Sequence, residues 1–96
     1  MELYQLLELV EDERSFLAFV EALYEDRRLD AEAERSSPSS PYGPTGRGWE
    51  NVTVESFLQA AHAWAIDSKF GATQGLGTAS PWRKFAVFLY CGKIYE

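Results

Sequence analysis

Ninety-six residues with a net charge of −6, one histidine and one cysteine make one domain, 1–96, in which no internal disulfide can close and no His/Cys metal set can assemble. The negative balance speaks against nucleic acid, whose phosphates need a basic face, and no window approaches the ~18 consecutive apolar residues of a spanning helix. A lone Cys91 and no apolar stretch behind a basic start fit a cytoplasmic protein without a secretory signal. Its small core is closed by fourteen aromatic side chains, each of which removes roughly 150–250 Å² from water when buried.

Leu3, Leu6, Leu7 and Val10 recur at helical spacing and predict a short amphipathic helix over 3–10. Asp12 is placed to cap a second helix, with Glu13 in its first turn, and Phe16, Phe19, Val20 and Leu23 form its apolar stripe. Beyond Tyr24 the segment EDRRLDAEAER keeps helix formers but loses that stripe. A solvated helix held by pairs such as Arg28 with Glu32, fraying before Ser36, is the expectation there. The helix is therefore drawn over 13–34.

Residues 36–50, SSPSSPYGPTGRGWE, cannot be helical. Composition alone would leave them disordered, but Tyr42 and Trp49 are costly to hold in water, so both are expected to dock on the helices. Thr53 caps a third helix over 54–68, with Glu55 favourably placed against the dipole. Its inward stripe reads Val54, Phe57, Leu58, Ala61, Trp64 and Ala65, and its alanines admit a close neighbour. Gly71, Gly75 and Gly77 break the chain, and Ser80-Pro81 starts a fourth helix over 81–91 with Gly92 as its stop. Phe16, Val20, Phe57, Trp64, Phe85 and Leu89 are the expected core of an all-α domain. Its four helices pack as a small orthogonal or bundle-like unit, with the long Pro/Gly/Ser loop ordered between the second and third.

Chemistry-bearing patterns are sparse. His62 lies between Leu58 and Ile66 at one-turn spacing, where a boundary histidine is the commoner reading than a catalytic base. Cys91 falls among Phe88, Leu89 and Tyr90, where it reads as a small buried hydrophobe with no feature that would activate a thiolate. The carboxylate pairs Glu21 with Glu25 and Asp26 with Asp30 are read as solvent-exposed and so without perturbed acidity. The run Gly75-Leu76-Gly77-Thr78-Ala79-Ser80 imitates a phosphate-binding loop poorly: no strand precedes it and no Gly-Lys-Ser/Thr follows. Arg83 and Lys84 beside Trp82 are too few to carry nucleic-acid affinity.

Charge is the one strong asymmetry. Residues 1–35 hold eleven acids against four arginines, a net of −7, whereas residues 36–96 hold four acids and five bases, a net of +1. Such a field steers a basic partner to one side of the molecule.

The succession SSPYGP, GWEN, an alanine- and tryptophan-bearing helix and SPWRKFAVFLYCGKIYE resembles a family of small uncharacterised bacterial proteins with a domain of unknown function. The likeness spans nearly the whole chain. It implies a bacterial single-domain protein and brings no catalytic residue with it.

The functional expectation is a non-catalytic protein-binding module, immunity- or antitoxin-like, with neither cofactor nor metal. Glu21, Glu25, Glu32, Tyr42, Trp49 and Glu50 would form its contact surface for a basic protein. One alternative is a small-molecule binder or enzyme with a site under the Tyr42/Trp49 loop near His62. Another is a structural homo-oligomer joined through the alanine-rich helix.

Overall fold

The computed structural model of the chain describes residues 1–96 and is all-helical, with no strand. The helices are α1 (Leu3–Glu8), α2 (Glu13–Ser36), α3 (Val54–Asp67) and α4 (Pro81–Ile94), with one 3-10 turn at Ala72–Gln74. Three of the four starts are set by side-chain caps that satisfy otherwise orphaned amides. Asp12 accepts from the Ser15 amide at 2.9 Å, Thr53 from Ser56 at 3.1 Å, and Ser80 from Arg83 at 3.2 Å with Pro81 at the first helical position.

α4 is the hub. It packs on α1, α2 and α3, whereas α2 and α3 make no close approach to each other. The contact of α3 with α4 is the most extensive, and small residues allow it: Ala60, Ala61, Ala86 and Gly92 are all buried. The alanine-rich face is thus used inside the fold, where a joint between subunits was one expectation.

The buried cluster consists of Val10, Phe19, Leu23, Trp49 and Ala86, flanked by Phe16, Phe57 and Leu89. Trp64 is buried as expected, but Phe85 is 53 % exposed and Val20 is only half-buried. α4 is turned so that Ala86 rather than Phe85 faces inward, because only a methyl group fits so near the partner helices. Phe85 instead meets Phe70 edge-on, at 6.0 Å between ring centres. Phe70 lies flat on Phe88 at 5.5 Å and edge-on to Trp64 at 5.7 Å.

Phe70 reaches that position through an unusual turn. Lys69, Phe70 and Gly71 have φ of 53°, 54° and 84°, a left-handed run that non-glycine residues seldom enter. Ser68 holds it: its Oγ donates to the Trp64 carbonyl and accepts from the Gly71 amide. Gly71 itself tolerates no side chain, since a Cβ there would lie 2.5 Å from Leu76.

Gly92 does not end α4. It lies inside the helix, and a Cβ on it would sit 2.7 Å from the Phe57 ring. The helix continues to Ile94 because donors from another segment meet its last carbonyls. That segment is the strap described next.

Candidate functional site

Past Tyr24, α2 carries a second stripe that is acidic instead of apolar. Asp26, Asp30 and Glu34 recur every four residues, so they line one face of the helix. Residues 39–51 fold onto that face as a strap. Glu34 accepts from the Ser39 amide and hydroxyl and from the Gly46 amide, at 2.6–3.1 Å. Asp30, 0 % exposed, accepts from the Arg47 amide at 3.1 Å and from Arg27 Nη1 at 2.7 Å. Asp26 accepts from Arg47 Nε at 2.8 Å, Trp49 Nε1 at 2.9 Å and Lys93 Nζ at 3.0 Å.

These bonds set the acidity of Asp26 and Glu34. Burial pushes the Asp26 carboxyl up, but the bonds from Arg47, Lys93 and Trp49 together outweigh burial and hold it below the usual carboxylate range. Glu34 is lowered by Ser39 and Gly46. Lys93, 7 % exposed, keeps its ammonium buried because Asp26 neutralises it. The ring of Trp49 has the Lys93 ammonium 5.5 Å and the Arg27 guanidinium 5.8 Å from its centre, within cation–π reach. It also stacks on Phe57.

The far end of the strap closes on α4. Glu50 donates its amide to the Lys93 carbonyl at 3.0 Å, and Asn51 Nδ2 donates to the carbonyls of Gly92 and Tyr95 at 3.0 and 2.8 Å. One segment therefore ties the acidic face of α2 to the C-terminus of α4.

Between α2 and α3, which do not meet, this arrangement leaves an open apolar groove of about 410 Å³. Val20 and Tyr24 line it from α2, Val54 and Leu58 from α3, with Leu89 and Trp49 at its base. Tyr24, Val54 and Leu58 are exposed. Of the polar lining groups, Arg27 is engaged by Asp30, Asn51 by the end of α4, and Thr53 as the cap of α3, while the Tyr24 hydroxyl has no partner.

The residues expected from the sequence to form a contact surface are only partly brought together. Trp49 is 4 % exposed, so the docking expected of it holds, and what it leaves accessible lines the base of the groove. Tyr42 does not dock. It is 96 % exposed: the strap is fastened on either side of it, by Ser39 and Gly46 to Glu34, and only its backbone amide is bonded, to Ser40. Glu25 and Glu32 both bind Arg28, and only Glu21 of the three glutamates is left without an ion pair. Glu50 is half-buried, its carboxyl raised by desolvation and by neighbouring Glu96. Asp26 and Asp30, read from the sequence as an exposed pair, are covered, since the strap lays Arg47 and Trp49 on them and α4 brings Lys93.

The expected alternative site under the Tyr42/Trp49 loop is not assembled. No cavity includes Tyr42 or His62, and His62 is exposed. Cys91 is buried, which pushes its thiol up to about 11. No three acids, histidines or cysteines converge at metal-binding distance, and no helix is long and apolar enough to cross a membrane.

The family described as "Family of unknown function (DUF7660)" matches residues 12–96, and the chain belongs to it. No curated protein and no solved structure matches the chain.

Proposed function

We propose that this member of the family is a non-catalytic protein-binding module whose acidic side draws in a basic protein and whose α2/α3 groove receives it. The observation that carries the reading is the groove itself: an apolar surface left open between two helices, with exposed Tyr24, Val54 and Leu58 on its walls. A chain with so small a core gains nothing in stability from leaving large side chains in water, and clustered exposure of this kind marks contact surfaces. Glu21 and Glu55 flank it, each three residues before a lining side chain and neither in an ion pair. Association with a basic surface would follow, in the manner of an immunity or antitoxin protein of the bacterial cytoplasm that covers its target.

The test is capture from the source cell by the wild type and by Glu21→Lys/Glu55→Lys. Exposed single charges contribute little to folding, so Glu21→Lys leaves the melting temperature nearly unchanged and Glu55→Lys, in the first turn of α3, lowers it only slightly, at a cost of roughly 1 kcal/mol or less. The double variant is expected to lose the basic partner, and wild-type association should slow as the Debye length falls from ~30 Å at 0.01 M salt to ~8 Å at 0.15 M. Retention of the same partner by the charge-reversed chain, with the same salt dependence, contradicts the reading.

A further inference from the structure

We infer that the α2/α3 groove seats an amphipathic, basic α-helix of a partner protein; this rests on the reading of the chain as a protein-binding module. Three observations select that occupant. First, α4 supports both α2 and α3 but the two do not meet, so the groove is a slot bounded by two helices. A third helix fills such a slot with the apolar row it presents every three to four residues.

Second, the lining offers few groups to orient a small polar molecule. Arg27 is paired with Asp30, Asn51 Nδ2 with the carbonyls of α4 and Thr53 with the α3 cap, so the one uncharged side-chain donor left without a partner is the Tyr24 hydroxyl on the exposed wall. Small-molecule sites combine an enclosed cavity with a few convergent polar groups, and this one is open and apolar.

Third, Arg27 in the lining is neutralised by Asp30, so the unpaired charges flanking the slot choose the partner's sign. Glu21 precedes Tyr24 by three residues on α2 and Glu55 precedes Leu58 by three on α3, both exposed and unpaired. Basic side chains beside the apolar row of the entering helix would meet them. A second copy of this chain would bring the same net −6 against them, which disfavours self-association.

The probe is a fluorescent peptide of about 14 residues, roughly 21 Å when helical, with leucines at i, i+3, i+4 and i+7 and lysines elsewhere. A scrambled peptide of the same composition and a version with glutamate for lysine are the controls. The ordered basic peptide is expected to bind the wild type and gain helicity, while the scrambled one binds roughly tenfold more weakly and the acidic one not at all. Val54→Asn/Leu58→Asn should weaken the ordered peptide roughly tenfold with salt dependence intact. Glu21→Gln/Glu55→Gln should instead flatten the salt dependence. Tyr24→Ser on α2 repeats the groove test independently if the double variant folds poorly.

Equal binding of ordered and scrambled peptides, unchanged by the groove substitutions, overturns the helix-in-groove inference and takes the groove out of the proposed function, while attraction of a basic protein to the acidic side still stands. Absence of any basic-peptide binding at low salt removes both. A dimer in sedimentation that Leu58→Asn dissociates makes the second copy the occupant, and the inference is then wrong.

Discussion

The indole of Trp49 donates to Asp26 Oδ2 at 2.9 Å, a bond between residues 23 apart in the chain. The same carboxylate oxygen receives Lys93 from α4. Through this one oxygen the strap, the long helix and the last helix are held together, and Trp49 becomes the base of the groove. The acidic stripe of α2 therefore builds the apolar site indirectly, by ordering a loop whose composition favours disorder.

Asp26→Asn keeps the shape of the side chain but removes the charge that neutralises buried Lys93. Breaking such a pair should cost roughly 2–4 kcal/mol, less than for a fully enclosed pair because Asp26 keeps some contact with water. The pH dependence has a definite sign. The folded Asp26 carboxyl lies below its unfolded value, so its contribution is complete above the unfolded pKa of ~3.9 and is lost as pH falls through the folded value. Thermal melts between neutral and acid pH should show a shallower acid limb in Asp26→Asn. The limb should not vanish, because Asp12 and Glu34 are lowered as well.

Gly92→Ala tests the contact of α3 with α4 by the sign of its effect. In an unconstrained helix interior the change stabilises by about 1 kcal/mol. Here the new methyl group would meet the Phe57 ring at 2.7 Å, and overpacking of that kind costs roughly 1–3 kcal/mol. A lower denaturation midpoint is expected. Gly77→Ala, with no atom within 4 Å of the added carbon, is the control and should not destabilise.

Trp49→Ala and Tyr42→Ala separate the two aromatics of the loop. Loss of buried Trp49 should cost roughly 3–5 kcal/mol, whereas Tyr42, 96 % exposed, should change stability by no more than about 0.5 kcal/mol. Urea unfolding of both variants checks the pair.

The Cys91 thiol, pushed up to about 11 by burial, should react with a thiol reagent at pH 8 roughly 100-fold more slowly in the native chain than in the unfolded one, on thiolate fraction alone. Native reaction as fast as that of the unfolded chain would place the sulfur at the surface.

The four helices were legible because caps and stripes agree: Asp12, Thr53 and Ser80-Pro81 mark starts that the structure keeps. Their ends were less so. α4 reaches Ile94 because the strap supplies partners for its last carbonyls that local sequence does not announce, and α2 runs two residues past the expected end, to Ser36. Apolar periodicity placed Phe19 and Trp64 correctly. It failed at Phe85, Val54 and Leu58, which the structure leaves exposed while Ala60, Ala61, Ala86 and Gly92 take the buried places where α3 and α4 approach. The Asp26, Asp30, Glu34 stripe was in plain sight at helical spacing. It was missed because acids on a helix usually meet solvent, and its meaning depends on Arg47, Trp49 and Lys93, which only the fold brings to it.

The central claim is that a protein partner is received between α2 and α3. The most direct measurement is the amide and indole chemical-shift map of the labelled chain as the captured partner is added. The account predicts that the largest changes fall on residues 20–27 and 52–58 and on the Trp49 indole, with Tyr42 and His62 unaffected. Changes concentrated around Tyr42 or His62, with Tyr24, Val54 and Leu58 silent, would contradict it.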